Sequence, residues 1–227
     1  MADLPSAGTL HDAGLLLLVS ASLAAGVSAL AWRAGALTRD GAVAATAVGA
    51  LVFGAGGLPW AALLLTFFVS GSVMTRLRRR KQGMRSGGAR DAFQVLANGG
   101  VAAVSALARL LFGASWVWDA LVAGSLAAMT ADTWATEVGI MTGARPRLLV
   151  GMRPVEPGTS GGVSGPGTLA GVAGAAVMAA AARAVLGPGA VAAGALRGAV
   201  VGLFLDSLLG ATLQARYRCE SCGTYVE

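Results

Sequence analysis

Apolar runs near 13–32, 41–58, 59–75, 93–112, 116–140, 166–186 and 189–214 follow one another along a chain of 227 residues, with charge confined largely to the gaps between them. About 20 apolar helical residues cross the roughly 30 Å of a bilayer's hydrocarbon. A backbone in lipid must satisfy its own polar groups, so such a chain folds as a helical bundle. The expectation is an all-α, polytopic membrane protein, a single domain over 1–227 with seven transmembrane helices. The charged fraction of 12% agrees, because soluble domains carry about a quarter. Thirty-four glycines suit helices that pack closely through small residues. The first run follows the acidic positions Asp3 and Asp12 without a basic segment or a small-residue cleavage site, and it reads as a retained helix. Between the second and third runs stands GAGGLP at 54–59, either a tight turn or the broken middle of one re-entrant element.

Charge placement assigns the sides. With seven crossings, segments 33–40, 76–92, 141–165 and 215–227 share one face of the membrane and hold 14 of the 17 basic residues. Arg109, Arg183 and Arg197 fall within helices, and the opposite connections have no basic residue. Basic loops stay in the cytoplasm, which puts the N-terminus outside and the C-terminus inside a cell (inner or plasma) membrane. The loops then comprise a basic one at 76–92, a glycine-rich one at 141–167 and a short tail at 215–227. The net charge of +6 is thereby explained by topology, and no nucleic-acid partner is expected. The run from Arg76 to Lys81 reads as an anchor near anionic headgroups, or as an attractor for a polyanionic substrate. Cys219 and Cys222 supply half a zinc site at most, and a free cytoplasmic dithiol is the preferred reading.

Polar residues within the apolar runs mark the candidate site, since an intramembrane acid is costly unless it has a function. Helix 4 opens DAFQVLANGG (91–100), with Asp91, Gln94 and Asn98 on one face. Interhelical hydrogen bonding is the plain alternative for this stripe. Helix 5 carries ADTWATEVG (131–139), in which Asp132 pairs with Thr136 and Thr133 with Glu137 at i, i+4. Asp132 and Glu137 stand about 140° apart on an ideal helix, so they serve adjacent subsites or the helix unwinds. Pairing with arginines such as Arg145 or Arg197 is the structural alternative. GTSGGVS (158–164) follows Arg145, Arg147 and Arg153 and leads into a helix. Glycines that bare backbone N–H groups, hydroxyls of Thr159, Ser160 and Ser164, and a helix N-terminus suit phosphate, although a flexible linker has the same composition. Helix 7 holds LDSLLGATLQ (205–214), with Asp206, Ser207 and Gln214.

Counted from the nearest cytoplasmic charge, Asn98, Asp132 and Asp206 all lie about 12–20 Å deep at 1.5 Å per residue. Carboxylates, amides, arginines and a glycine-rich loop at one level make the parts list of Mg²⁺-assisted phosphoryl transfer. The metal ligands expected are Asp132 and Asp206, with Glu137 as a further one in an outer position. Asn98 is a further catalytic candidate, and Arg145, Arg147 and Arg153 join 158–168 in cradling phosphates.

Together these four motifs closely resemble the transmembrane-protein-nineteen-like family, formerly a domain of unknown function, which includes the plant phytyl-phosphate kinase. The resemblance covers most of 35–222. It implies transfer of a nucleotide γ-phosphate, from CTP, to an isoprenoid monophosphate such as phytyl or geranylgeranyl phosphate. It carries over to Asn98, Asp132, Thr133, Glu137, Gly161, Gly162, Ser164, Asp206, Ser207 and Gln214. The chain ends soon after Cys222, without the further hydrophobic segment associated with the family, and a homodimer would cover that flank. Cytidylyl transfer to a lipid phosphate, or a transporter with an acidic path, would use the same residues.

Overall fold

A computed structural model describes residues 7–84, 88–187, 189–214, 217–218 and 225–226. Cys219 and Cys222, with the dithiol expectation, lie outside the described residues, as do Arg85 and Arg216. The described residues form six helices: α1 (Ala7–Arg33), α2 (Arg39–Lys81), α3 (Ala92–Phe112), α4 (Trp116–Met141), α5 (Gly165–Leu186) and α6 (Gly189–Thr212). Two short strands, β1 (Arg147–Leu148) and β2 (Gly162–Val163), pair antiparallel in the α4–α5 loop. A second such pair joins β3 (Tyr217–Arg218) to β4 (Tyr225–Val226).

Among the described residues, five helices are long and apolar enough to cross a membrane: α1, α2, α3, α5 and α6. The remaining one, α4, carries Asp119, Asp132 and Glu137. It is also the centre of the bundle, packed against α2, α3, α5 and α6. Burial follows the membrane pattern. Ala102, Ala106, Ala127, Ala131, Ala175 and Ala182 are fully inside, while Leu18, Leu30, Val43, Phe93, Leu111 and Leu169 are largely exposed. Large side chains turned outward and small ones inward suit a lipid surround, where close backbone approach rather than water exclusion holds helices together.

The helix starts are set by side chains that accept from orphan N–H groups: Thr38 from Gly41, Asp91 from Gln94, Ser115 from Val117 and Ser164 from Gly167. Each such cap contributes about 1 kcal/mol. Asp91 is thus a cap rather than a member of an intramembrane polar stripe.

The separate helices expected at 41–58 and 59–75 are the two limbs of α2. Its 43 residues would measure about 65 Å straight, twice the hydrocarbon thickness. Helical geometry breaks at Gly57, whose φ of 63° and ψ of −156° suit glycine, and Pro59 follows without an N–H to donate. Arg90 shows that the limbs fold back on each other. Its carbonyl accepts from Thr38 N at 3.0 Å, while its guanidinium reaches Ser72 Oγ at 3.4 Å. Positions 38 and 72 would stand about 51 Å apart on a straight helix. The end at which Gly57 turns the chain has its own polar cluster. There Trp60 Nε1 donates to Asp119 Oδ1 at 2.7 Å, and Arg109 donates to Ala55 O at 2.9 Å with its guanidinium over the Trp60 ring.

Candidate functional site

Three elements converge on one cavity of about 210 Å³: the second half of α4, the loop that leads into α5, and the last third of α6. Glycine brings them together. A Cβ at Gly167 would lie 2.8 Å from Ala135 O, and one at Gly171 3.0 Å from Ala131 O, so the α5 backbone rests directly on α4. Gly161, at φ +75°, seats the loop on α6, where an added Cβ would meet Ala211 N at 2.3 Å. The loop is also a folded unit. Leu148 N donates to Arg153 O, Leu149 N to Gly161 O and Val155 N to Pro146 O, all between 2.9 and 3.0 Å. The linker alternative for 158–168 is therefore not what forms.

Asp132 and Thr136 line the cavity from α4, and Asp206 and Ser207 line it from α6. The loop contributes Thr159, Ser160, Gly161, Gly162 and Ser164. No Lys or Arg is among the described lining residues. Two carboxylates thus face one space whose remaining polar groups are hydroxyls and backbone. Like charges in a half-buried site repel, and such a site is stable when it holds a cation or a proton. Mg²⁺ fits this donor set, since it is usually bound through one or two carboxylates with waters and substrate phosphates completing the octahedron. Among the described residues no cluster of three or more His, Cys, Asp or Glu could hold a metal. Asp132 and Asp206 would be the carboxylate contribution of the described residues.

Several expected members lie elsewhere. Glu137 is on the opposite face of an unbroken α4. It accepts from Thr75 Oγ1 at 2.7 Å and pairs with Arg78 Nε, both on the second limb of α2. The 140° that separates it from Asp132 carries it out of the cavity, and a place among the metal ligands is corrected to a structural ion pair. Neither Arg145 nor Arg197 but Arg78 is the partner. Thr133 follows Glu137, with its methyl 3.4 Å from where a Cβ at Gly71 would stand. Asn98 lines a separate, apolar cavity among α1, α2 and α3, so its catalytic assignment does not fit the carboxylate cavity. Gln94 is exposed at the start of α3, and Gln214 is exposed beyond the end of α6.

Arg145, Arg147 and Arg153 are exposed and do not line the cavity. Arg147 donates to Met152 O at 2.9 Å, which braces the loop. The loop's share of the cavity lining is backbone, hydroxyls and apolar side chains without them. Sequence reasoning missed Arg78 as the ionic partner of Glu137. A signal existed, in an arginine one helical turn beyond Thr75 within a run otherwise explained by topology.

A family model for the integral membrane protein family DUF92 matches residues 22–227. The Arabidopsis thaliana protein named PGR is 36% identical over 126 residues, which cover 48% of this chain and 44% of the plant protein. An uncharacterized membrane protein of Methanocaldococcus jannaschii, MJ0933, is 29% identical over 182 residues, 79% of this chain and 76% of the archaeal one. The chain therefore spans less than half the length of the plant relative. No solved structure matches it. The match over nearly the whole sequence places the chain in the DUF92 family of integral membrane proteins.

Proposed function

We propose that the protein is a Mg²⁺-dependent lipid-phosphate kinase that transfers the γ-phosphate of a nucleoside triphosphate, CTP by resemblance, to an isoprenoid monophosphate. The observation that carries this reading is the cavity in which Asp132 and Asp206 meet a glycine- and hydroxyl-lined loop with no basic side chain among its described lining residues. The motif resemblance to the family that includes phytyl-phosphate kinase supplies the substrate class.

Asp132 and Asp206 would hold Mg²⁺, which supplies charge neutralisation for the polyphosphate. The hydroxyls of Thr136 and Thr159 are placed to donate to phosphate oxygens, while Ser207 donates to Leu203 O at 3.0 Å, and Gly161 and Gly162 let the backbone approach them. Ser164 caps α5, so the positive end of that helix's dipole faces the same space. An oxygen of the lipid monophosphate attacks the γ-phosphorus, the bond to the β,γ-bridging oxygen breaks, and the products are the lipid diphosphate and a nucleoside diphosphate. The nucleophile is already an anion, so alignment and charge stabilisation suffice without a general base. Exposed Arg145, Arg147 and Arg153 raise the concentration of anionic nucleotide at the mouth instead of gripping it.

In this reading α4 and the two α2 limbs each cross the bilayer along with α1, α3, α5 and α6, giving seven crossings with the N-terminus outside and the site open to the cytoplasm. Contacts within the basic segments support it: Arg76 donates to Ala34 O at 2.9 Å, and Arg90 joins Thr38. These contacts bring 33–40 and 76–92 together, as a shared side requires. The test is CTP labelled at the γ-phosphate, presented with geranylgeranyl monophosphate and Mg²⁺. Label recovered in the lipid is the expected result. Label in pyrophosphate identifies cytidylyl transfer, and no nucleotide turnover with lipid or ion flux in proteoliposomes identifies a transporter.

A further inference from the structure

A second cavity, of about 310 Å³, lies across α4 from the carboxylate site, between α1, both limbs of α2 and the start of α3. Its walls are apolar, with Val27, Phe53 and Leu64 among them, and its described lining contains no acid and one base, Arg90. Leu23, Leu58 and Leu65 line it and are themselves 54%, 74% and 42% exposed, so it opens sideways through a surface that faces lipid.

Arg90 is held there as a half-buried cation with little to neutralise it. Its backbone fixes it: the N–H donates to Ala36 O and the carbonyl accepts from Thr38 N, each at 3.0 Å. The guanidinium lies 5.5 Å over both the Phe67 and Phe68 rings, and its one hydrogen bond among the described residues is the long contact to Ser72. Burial pulls its pKa below the ordinary arginine value, and only the Glu137 carboxylate opposes that. Glu137, however, is committed to Arg78 and Thr75. More cations surround the connection that carries Leu37 into the cavity. Arg76 is bonded to Ala34 O, and Arg39 stacks 5.7 Å over Trp32.

We propose that this cavity binds a single-chain lipid carrying a phosphate monoester, with the chain among the apolar walls and the headgroup on Arg90. Charge complementarity selects an anion, and Arg90 in the lining, with Arg39 and Arg76 on the segments beside it, favours a dianion over a singly charged carboxylate. A volume at the small end of the roughly 300–1,000 Å³ of ligand pockets admits one chain and not two. Asn98 also lines the cavity and adds an uncharged hydrogen-bonding group to its walls. Binding here is an equilibrium property and does not depend on the phosphotransfer reading.

The test is equilibrium binding of radiolabelled farnesyl monophosphate to the full chain in nanodiscs, with chelator and without nucleotide, so that the carboxylate cavity repels the probe. Farnesol should bind at least tenfold more weakly, inorganic phosphate should not compete, and palmitate should compete poorly. Arg90→Gln should lose at least tenfold in affinity, and Ala45→Phe, which fills the cavity, should abolish binding. Thermal denaturation reports whether each variant folds, and Ala61→Phe replaces Ala45→Phe if the latter does not. Equal binding of farnesol overturns the proposal, as does equal or tighter binding of palmitate or undiminished binding by a folded cavity-filling variant. The wild-type comparisons decide it even if Arg90→Gln fails to fold.

Discussion

Asp132 and Glu137 are five positions apart on one helix, and their neighbours give them opposite roles. Asp132 shares a cavity with Asp206 and, among the described lining residues, no Lys or Arg. Glu137 is buried against Arg78 and Thr75. Asp132→Asn and Asp206→Asn should therefore each lower turnover by about 10²-fold or more, the scale of losing a preorganised electrostatic group. Neither should lower the melting temperature, because each removes one of two like charges. Glu137→Gln should do the reverse. Removing one partner of a largely buried ion pair costs on the order of 3 kcal/mol, which thermal denaturation will show, while the Mg²⁺ dependence of turnover stays as in the wild type. The sequence made Asp132 and Asp206 legible because an acid in an apolar run is conspicuous and both fall at the same depth. It could not separate Glu137 from them beyond the helical angle, since the angle tells that two groups diverge and not which neighbour each one meets. Asn98 shows the same limit. Its depth matched that of Asp132, but α3 turns it towards α1 and α2.

At the scale of elements, the site depends on glycines that let three backbones touch. A side chain at Gly161 would collide with Ala211 and strain a backbone at φ +75°. Gly161→Ala should therefore lift the loop from α6, with a loss of activity at least as large as its loss of stability, measured by comparing turnover with the unfolding midpoint. Gly171→Leu should part α5 from α4 and lower the unfolding midpoint directly, because a Cβ there already meets Ala131 O at 3.0 Å. Helix limits were readable to within a few residues for α3 to α5, where caps and glycines punctuate the apolar runs. The folded character of the α4–α5 loop was not. Its two-residue strands pair 147–148 with 162–163, and a register between short segments so far apart in sequence leaves no periodic trace. The loop arginines were assigned to phosphates from proximity in sequence, yet the β1–β2 pairing leaves Arg147 exposed and bonded to Met152 O.

For the whole molecule, α4 divides a carboxylate cavity on the α5–α6 side from an apolar cavity on the α1–α3 side. The apolar cavity runs from Arg90, beside the basic segments, to Phe53 and Leu58, beside the Gly57 turn. The reversal of α2 at Gly57 makes this possible, as it returns the chain to 76–92 and lets Arg90 bind the start of α2 and its second limb together. Cysteines introduced at Gly35 and Gly83, with Cys219 and Cys222 replaced by serine, should be modified only by reagents that reach the cytoplasm. One at Gly57 should be modified from outside. The same side for all three would contradict the seven-crossing topology.

The central claim is that Asp132 and Asp206, and not Glu137, hold the metal that accompanies the nucleotide. Electron paramagnetic resonance of Mn²⁺ in the presence of CTP, as a stand-in for Mg²⁺, tests it without turnover. Wild type and Glu137→Gln should bind the ion alike, and Asp132→Asn and Asp206→Asn should each weaken binding at least tenfold. Undiminished Mn²⁺ binding in both aspartate variants, or its loss in a folded Glu137→Gln protein, would contradict the account.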